Sequence, residues 1–206
     1  MEGKTHRTFG VLTMEIALIS AGVPPGWPAV AALVTAAIAA YGPDIDSPQS
    51  TLSRAVPGGL IVGHVLHHRT VMHSLLVTVL LWMLITLFAA PWYVLAGVLI
   101  GWSSHWFIDL FNREGVQLFW PLPLWIKLIP GDLGVATGSG AELLLRKVLM
   151  LFEIALGWSY FSLLLWPRMT ALPFAISLEQ WIRHFLTWFH WPLFGMALHA
   201  LLHVPR

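Results

Sequence analysis

Charged residues make up only 10% of this 206-residue chain and hydrophobic residues 57%, whereas an ordinary soluble domain is about 25% charged. So few charges cannot clothe a water-facing surface. The chain therefore reads as all-α, a polytopic membrane bundle of five to six helices. Its twelve tryptophans suit the same setting, because the indole ring favours the membrane–water boundary. There is no cysteine, which removes disulfides, zinc–cysteine sites and thiol nucleophiles and leaves His, Asp and Glu to hold any metal. A net charge of +1 with no basic tract longer than two residues argues against a nucleic-acid partner.

The start, Met1 to Gly10, is polar and shows no secretory signal, so the first span is expected to be retained. Helices are predicted from about Thr8 to Ala21 and from Pro28 to about Tyr41, both short for a bilayer of about 30 Å. Clearer spans are predicted at Ser74–Ala90 and Trp92–Phe111, and a fifth at Leu143–Trp166, with Arg146, Lys147 and Glu153 in its first half. Leu178–Val204 reads as a kinked span or a Trp-rich interfacial helix, being interrupted by Arg183, His184, His190 and Pro192. No repeat or linker is visible, so the expectation is one domain over 1–206, with a motif-bearing core at about 5–150 and a Trp-rich end at about 151–206. Short turns on one side put the amino terminus and the longer connections on the other. Lys4, Arg7, Arg54, Arg69, Arg113, Lys127, Arg146 and Lys147 all fall on that second side, which the positive-inside rule makes cytoplasmic.

Ionisable residues at membrane depth are costly and mark function by default. Here they gather on the cytoplasmic side, at helix ends. His6 opens the first helix, and Asp44 and Asp46 lie in a Pro-bracketed turn after the second. His68 and His73 lead into the third, and His105 and Asp109 stand near the end of the fourth. Three of the chain's four aspartates belong to this set. Spacing supports metal ligation: His105 and Asp109 share a helix face, about 5–6 Å apart at Cβ, and Asp44 and Asp46 can converge or bridge. Seven N/O ligands are too many for one four-coordinate ion and reasonable for two. Without sulfur, the set suits zinc, manganese or iron. Any one of these residues alone would ordinarily be a cap or a hydrogen-bond partner, and His64 and His67 are read that way. Independent caps would not gather on one side with complementary ligand types.

The motifs Thr5-His6 to Gly10, Pro43-Asp44-Ile45-Asp46, His68-Arg69 with His73-Ser74, His105 with Asp109, and Gly115-Val116-Gln117-Leu118 with Pro121 resemble the YdjM/YbcI-type family of membrane-bound, predicted metal-dependent hydrolases. Thr137-Gly138-Ser139 with Glu142 is similar to a further motif of that family. The likeness runs in order from residue 5 to about 150 and stops before the Trp-rich end. Thr70 and Met72 stand where the family usually has Gly and Thr. The resemblance implies an inner-membrane metal-dependent hydrolase.

A metal ion lowers the pKa of a water it holds, and a second ion can stabilise charge developing on a phosphoryl or carbonyl oxygen. The expected reaction is hydrolysis of a phosphoester or similar bond in a lipid or lipid-linked substrate, because the site would open among head groups. Arg69 could clamp a phosphate oxygen, or anchor to lipid phosphate. Glu142 could act as general base, as an extra ligand, or as a partner that orients an imidazole. It also suits the dipole at a helix start. Ser74 and Gln117 could orient ligands, with Asn112 and Ser104 as weaker candidates. No Gly-x-Ser-x-Gly elbow is present, which speaks against a serine hydrolase. The alternative is a metal-ion transporter or metal-sensing membrane protein using the same ligands. Transport sites usually lie near the bilayer midplane, whereas these ligands sit at helix ends. A haem protein using His184, His190, His199 and His203 lacks paired helical spacings.

Overall fold

The computed structural model describes residues 1–165. The expected last helix over 178–204, with Arg183, His184, His190, His199 and His203, lies outside the described residues. Within them the chain is all-helical, with seven α-helices and three short 3-10 turns.

α1 (Gly3–Ser20) begins in the polar stretch ahead of Thr8, because Thr5 and His6 are buried against the rest of the bundle. It stops at Gly22, whose φ of +64° a side chain would strain. The Gly22 N–H donates to Ile19 O and the Val23 N–H to Leu18 O, both at 3.0 Å, a Schellman closure that satisfies the last carbonyls. α2 (Trp27–Ala39) carries Pro28 in its first turn, where the missing N–H costs nothing. A 3-10 turn, Gly42–Asp46, follows.

Two short helices, α3 (Thr51–Ala55) and α4 (Gly59–Val65), occupy one of the longer connections on the site's side. They are too brief to display helical periodicity. Packing holds them: a Cβ on Gly59 would sit 2.5 Å from Ser53 O, and one on Gly63 3.0 Å from the Pro48 nitrogen. α5 (Leu75–Leu87) is capped by Ser74, whose hydroxyl accepts from the Val77 N–H at 3.2 Å. α6 (Trp92–Asp109) and α7 (Gly140–Leu165) complete the set.

The core lies where α1, α2, α6 and α7 meet, built from Met14, Ala17, Leu18, Ala29, Ala32, Ala36, Ala96, Ile100 and Tyr160. α2 and α6 approach closely because both present small residues. A Cβ on Gly97 would lie 2.6 Å from Ala32 O, and one on Gly101 would collide with Ala36 O. This is the small-residue spacing that lets helices meet in lipid. Trp106 Nε1 donates to Thr78 Oγ1 at 3.2 Å and ties α5 to α6.

One helical stretch among the described residues, the 20-residue Trp27–Asp46, is long and apolar enough to cross a membrane. The expectation had put the clearest spans at 74–90 and 92–111. α5 has only 13 residues, or about 20 Å of helix, and α6 ends in Ser103, Ser104, His105 and Asp109. No residue of α5 is buried, and Leu144, Leu151, Phe152, Ile154 and Trp158 of α7 are exposed. Apolar surface on this scale marks a protein or membrane contact.

A candidate metal centre at one end of the bundle

The starts of α1, α5 and α7 and the ends of α2 and α6 meet at one end of the bundle. There the structure gathers all seven residues singled out by sequence. Three groups have ligand atoms within 4.8 Å of one another: His6, His105 and Asp109; Asp44, His73 and His105; Asp46, His68 and His73. The groups overlap through His73 and His105. His6, Asp46, His73, His105 and Asp109 are essentially inaccessible, Asp44 keeps 13% side-chain exposure, and His68 keeps 36%.

Each side chain reaches the cluster for a local reason. His105 and Asp109 extend the Gly97 and Gly101 stripe by one and two further turns of four residues, so the face of α6 that meets α2 ends in ligands. His105 Nδ1 lies 2.6 Å from Ala40 O at the end of α2, and its ring stacks on His6 with centroids 3.5 Å apart. Asp46 closes its 3-10 turn and receives His68 Nδ1 at 2.6 Å on Oδ1. Its Oδ2 receives His73 Nδ1 and the Arg69 N–H, both at 3.2 Å. Arg69 adopts φ +64°, so one residue can aim its N–H at Asp46 while its carbonyl accepts from the Gln117 N–H at 2.9 Å.

The ring nitrogens decide what the cluster can bind. A carbonyl can only accept, so His105 Nδ1 must carry the proton and Nε2 is left with a lone pair. His73 likewise turns its Nδ1 to an acceptor, the Asp46 carboxylate. Yet these two Nε2 atoms stand 3.1 Å apart. Asp109 Oδ2 lies 3.7 Å from one and 3.9 Å from the other, and Asp44 Oδ1 is 3.5 Å from His105 Nε2. Two ring nitrogens and two carboxylate oxygens converging in this way form a site able to hold a cation. An ion with ligands at about 2.1 Å spaces them by about 3.0–3.4 Å, close to these separations. Buried atoms without hydrogen-bond partners, namely both His6 ring nitrogens and Asp109 Oδ2, point the same way. The donor set therefore fits a divalent ion, with imidazoles oriented by carbonyl and carboxylate partners as metal-bound histidines usually are.

Arg69 and Glu142 stand beside the cluster and join none of its three groups. The Arg69 guanidinium is buried, with Nε 3.3 Å from Asp109 Oδ2 and Nη1 paired with Glu114. That separation is an ion pair without hydrogen-bond alignment, since Nε is left unpartnered. Glu142, fully buried, accepts from Thr5 Oγ1 at 2.8 Å, the Glu2 N–H at 2.5 Å and the Gly138 N–H at 2.7 Å. These bonds include no imidazole; they pin the first turn of α1, on which His6 sits. Ser74 caps α5 and donates to Val71 O. Ser104 donates to Gly101 O, and Asn112 Nδ2 to Thr137 Oγ1. His64 Nδ1 bonds within α4 to Leu60 O. Sequence reasoning passed over Glu114, the carbonyl of Ala40, and the Met1 nitrogen, which donates to Asp109 Oδ1 at 2.8 Å. Glu114 lies 45 residues from Arg69 in the chain, so no local pattern pairs the two. A backbone carbonyl leaves no sequence signal.

The fold and site define an all-helical protein with a buried His/Asp cluster able to hold a metal ion. The chain belongs to the YdjM inner membrane protein family, whose model matches residues 1–162. It is similar to a Bacillus subtilis (strain 168) protein named Uncharacterized protein YvsG, with 31% identity over 170 residues that cover 82% of this chain and 99% of that one. No solved structure matches.

Proposed function

We propose that this protein is a multi-pass membrane hydrolase that uses one or two divalent ions, zinc, manganese or iron, to cleave a phosphoester or similar bond of a lipid or lipid-linked substrate. The observation that carries this reading is the convergence of His73 Nε2, His105 Nε2 and Asp109 Oδ2 on one buried point. An ion bound by such a set supplies Lewis acidity and a hydrolytic nucleophile at neutral pH. His73 and His105 would hold it through Nε2, with Asp46 and Ala40 O fixing their tautomers. His6 and Asp109 would complete one side and His68, Asp44 and Asp46 the other. Arg69, beside Asp109, would offset the charge of that carboxylate and offer N–H groups to a phosphoryl oxygen.

Membership of an inner membrane family and the apolar exposure of α5 and α7 support several spans. The Lys and Arg residues on the site's side of the bundle support a cytoplasmic face. Elemental analysis of detergent-purified protein tests the centre. Stoichiometric metal in the wild type that is lost in Asp46→Asn and His105→Ala supports it. A metal-free wild type, or variants equally loaded, overturns it. Turnover of phospholipids or polyprenyl phosphates that stops on chelation supports the hydrolase, and metal flux into vesicles without turnover would make the chain a transporter instead.

A further inference from the structure

A cavity of about 460 Å³ opens on the His68 side of the cluster, with Val65, Leu66 and Val71 on one wall and Trp120 and Trp125 on the other. His68 belongs to both spaces. Its Nδ1 is taken by Asp46, and it is the most accessible of the seven cluster residues. No Lys, Arg, Asp or Glu lines the cavity, and its polar groups are His67, His68, Thr70 and Gln117. Its size and its apolar walls with a few polar groups are those of a small-molecule site.

The rims continue the apolar character outward. Leu60, Ile61 and Val65 of α4 are exposed on one side, and Leu122, Leu124, Trp125 and Leu128 on the other. The second rim is fastened to the start of α5 by the Leu75 N–H donating to Leu118 O at 2.9 Å. Val65 and Trp125 thus belong both to the cavity's lining and to an exposed apolar surface, and α5, joined to the second rim, adds exposed Leu76, Val79, Leu80, Met83 and Leu84. In a protein of an inner membrane family, hydrocarbon covers such a face. Its continuity with the cavity says what fills the cavity.

We propose that the cavity between α4 and the 117–125 loop binds the hydrocarbon chain of a membrane lipid, entering sideways from the bilayer, with its phosphate head reaching the cluster past His68. The head-group half rests on the reading of the cluster as the reaction centre; the chain half does not.

The test uses full-length protein in lipid nanodiscs and a hexadecyl phosphate carrying a diazirine at the tail end, with crosslinks mapped by mass spectrometry. Crosslinks concentrated in residues 65–71 and 117–125 are expected. Leu66→Trp, which fills the space, and Trp125→Ala, which removes a wall, each reduce that labelling about tenfold, with metal content unchanged. Labelling spread evenly over α5 and α7, or unaffected by both variants, overturns the proposal. Inorganic phosphate in excess distinguishes the halves. Competition that moves the tail crosslinks away from 65–71 ties head and cluster together. Persistent cavity labelling in a protein that proves metal-free keeps the chain site while the hydrolase reading falls.

Discussion

His73 and His105, 32 residues apart in sequence, face each other Nε2 to Nε2 at 3.1 Å. Each belongs to two of the three ligand groups, whereas His6 and His68 each belong to one. His73→Ala is therefore expected to abolish metal binding, and His6→Ala to leave part of it. Elemental analysis of the two variants, reported as metal per protein, checks this. Equal loss in both would show that the groups do not overlap as the geometry has it.

Glu142 holds three donors from two segments of chain, the start of α1 and the turn before α7. Removing a buried carboxylate strands them, at about 1–3 kcal/mol for each unsatisfied group. Glu142→Ala should lower Tm by roughly 5–15 °C, and Glu142→Gln by less because it keeps two acceptor lone pairs. A Glu142→Ala protein that melts like the wild type yet is inactive would return the residue to the role of general base.

Much of this site was legible in the sequence. In a chain poor in charge, each His and Asp at a helix end stands out, and all seven candidates meet. The start of α6 at Trp92 was equally plain. What stayed hidden depends on tertiary contacts. α3 and α4 are each too short for a periodic signal, and α1 extends to Gly3 only because the bundle buries Thr5 and His6. Glu142 carries the same letters whether it serves as a general base or pins a helix, and its three donors appear only in the fold. Which span is long enough likewise turned on where the helices end, since α5 stops at Leu87.

Arg69 has φ +64°, a conformation that costs a side-chain-bearing residue about 1 kcal/mol and glycine almost nothing. Arg69→Ala and Arg69→Gly both delete the guanidinium. The glycine variant should be the more stable by about 1 kcal/mol, seen as a higher Tm. If alanine is as stable as glycine, the turn is not held in that conformation in solution.

Gly101 faces Ala36 O with no room for a Cβ. Gly101→Ala is expected to wedge α2 from α6 and lengthen the His105 to Ala40 contact, lowering both Tm and metal occupancy. Ser103→Ala, on the same helix but off this contact, serves as the control. Unchanged metal content in Gly101→Ala would show that the centre tolerates helix separation.

Gly97, Gly101, His105 and Asp109 recur every fourth residue along α6, so one stripe passes from packing to ligation without a break. A helix turns about 100° per residue. Inserting a single residue between Gly101 and His105 would leave the glycines seated and swing both ligands about a quarter-turn out of register. What the stripe fixes is the count of residues between Gly97 and Asp109. The helix acts as a gauge, and its length is as much a part of the site as the atoms that would touch the ion.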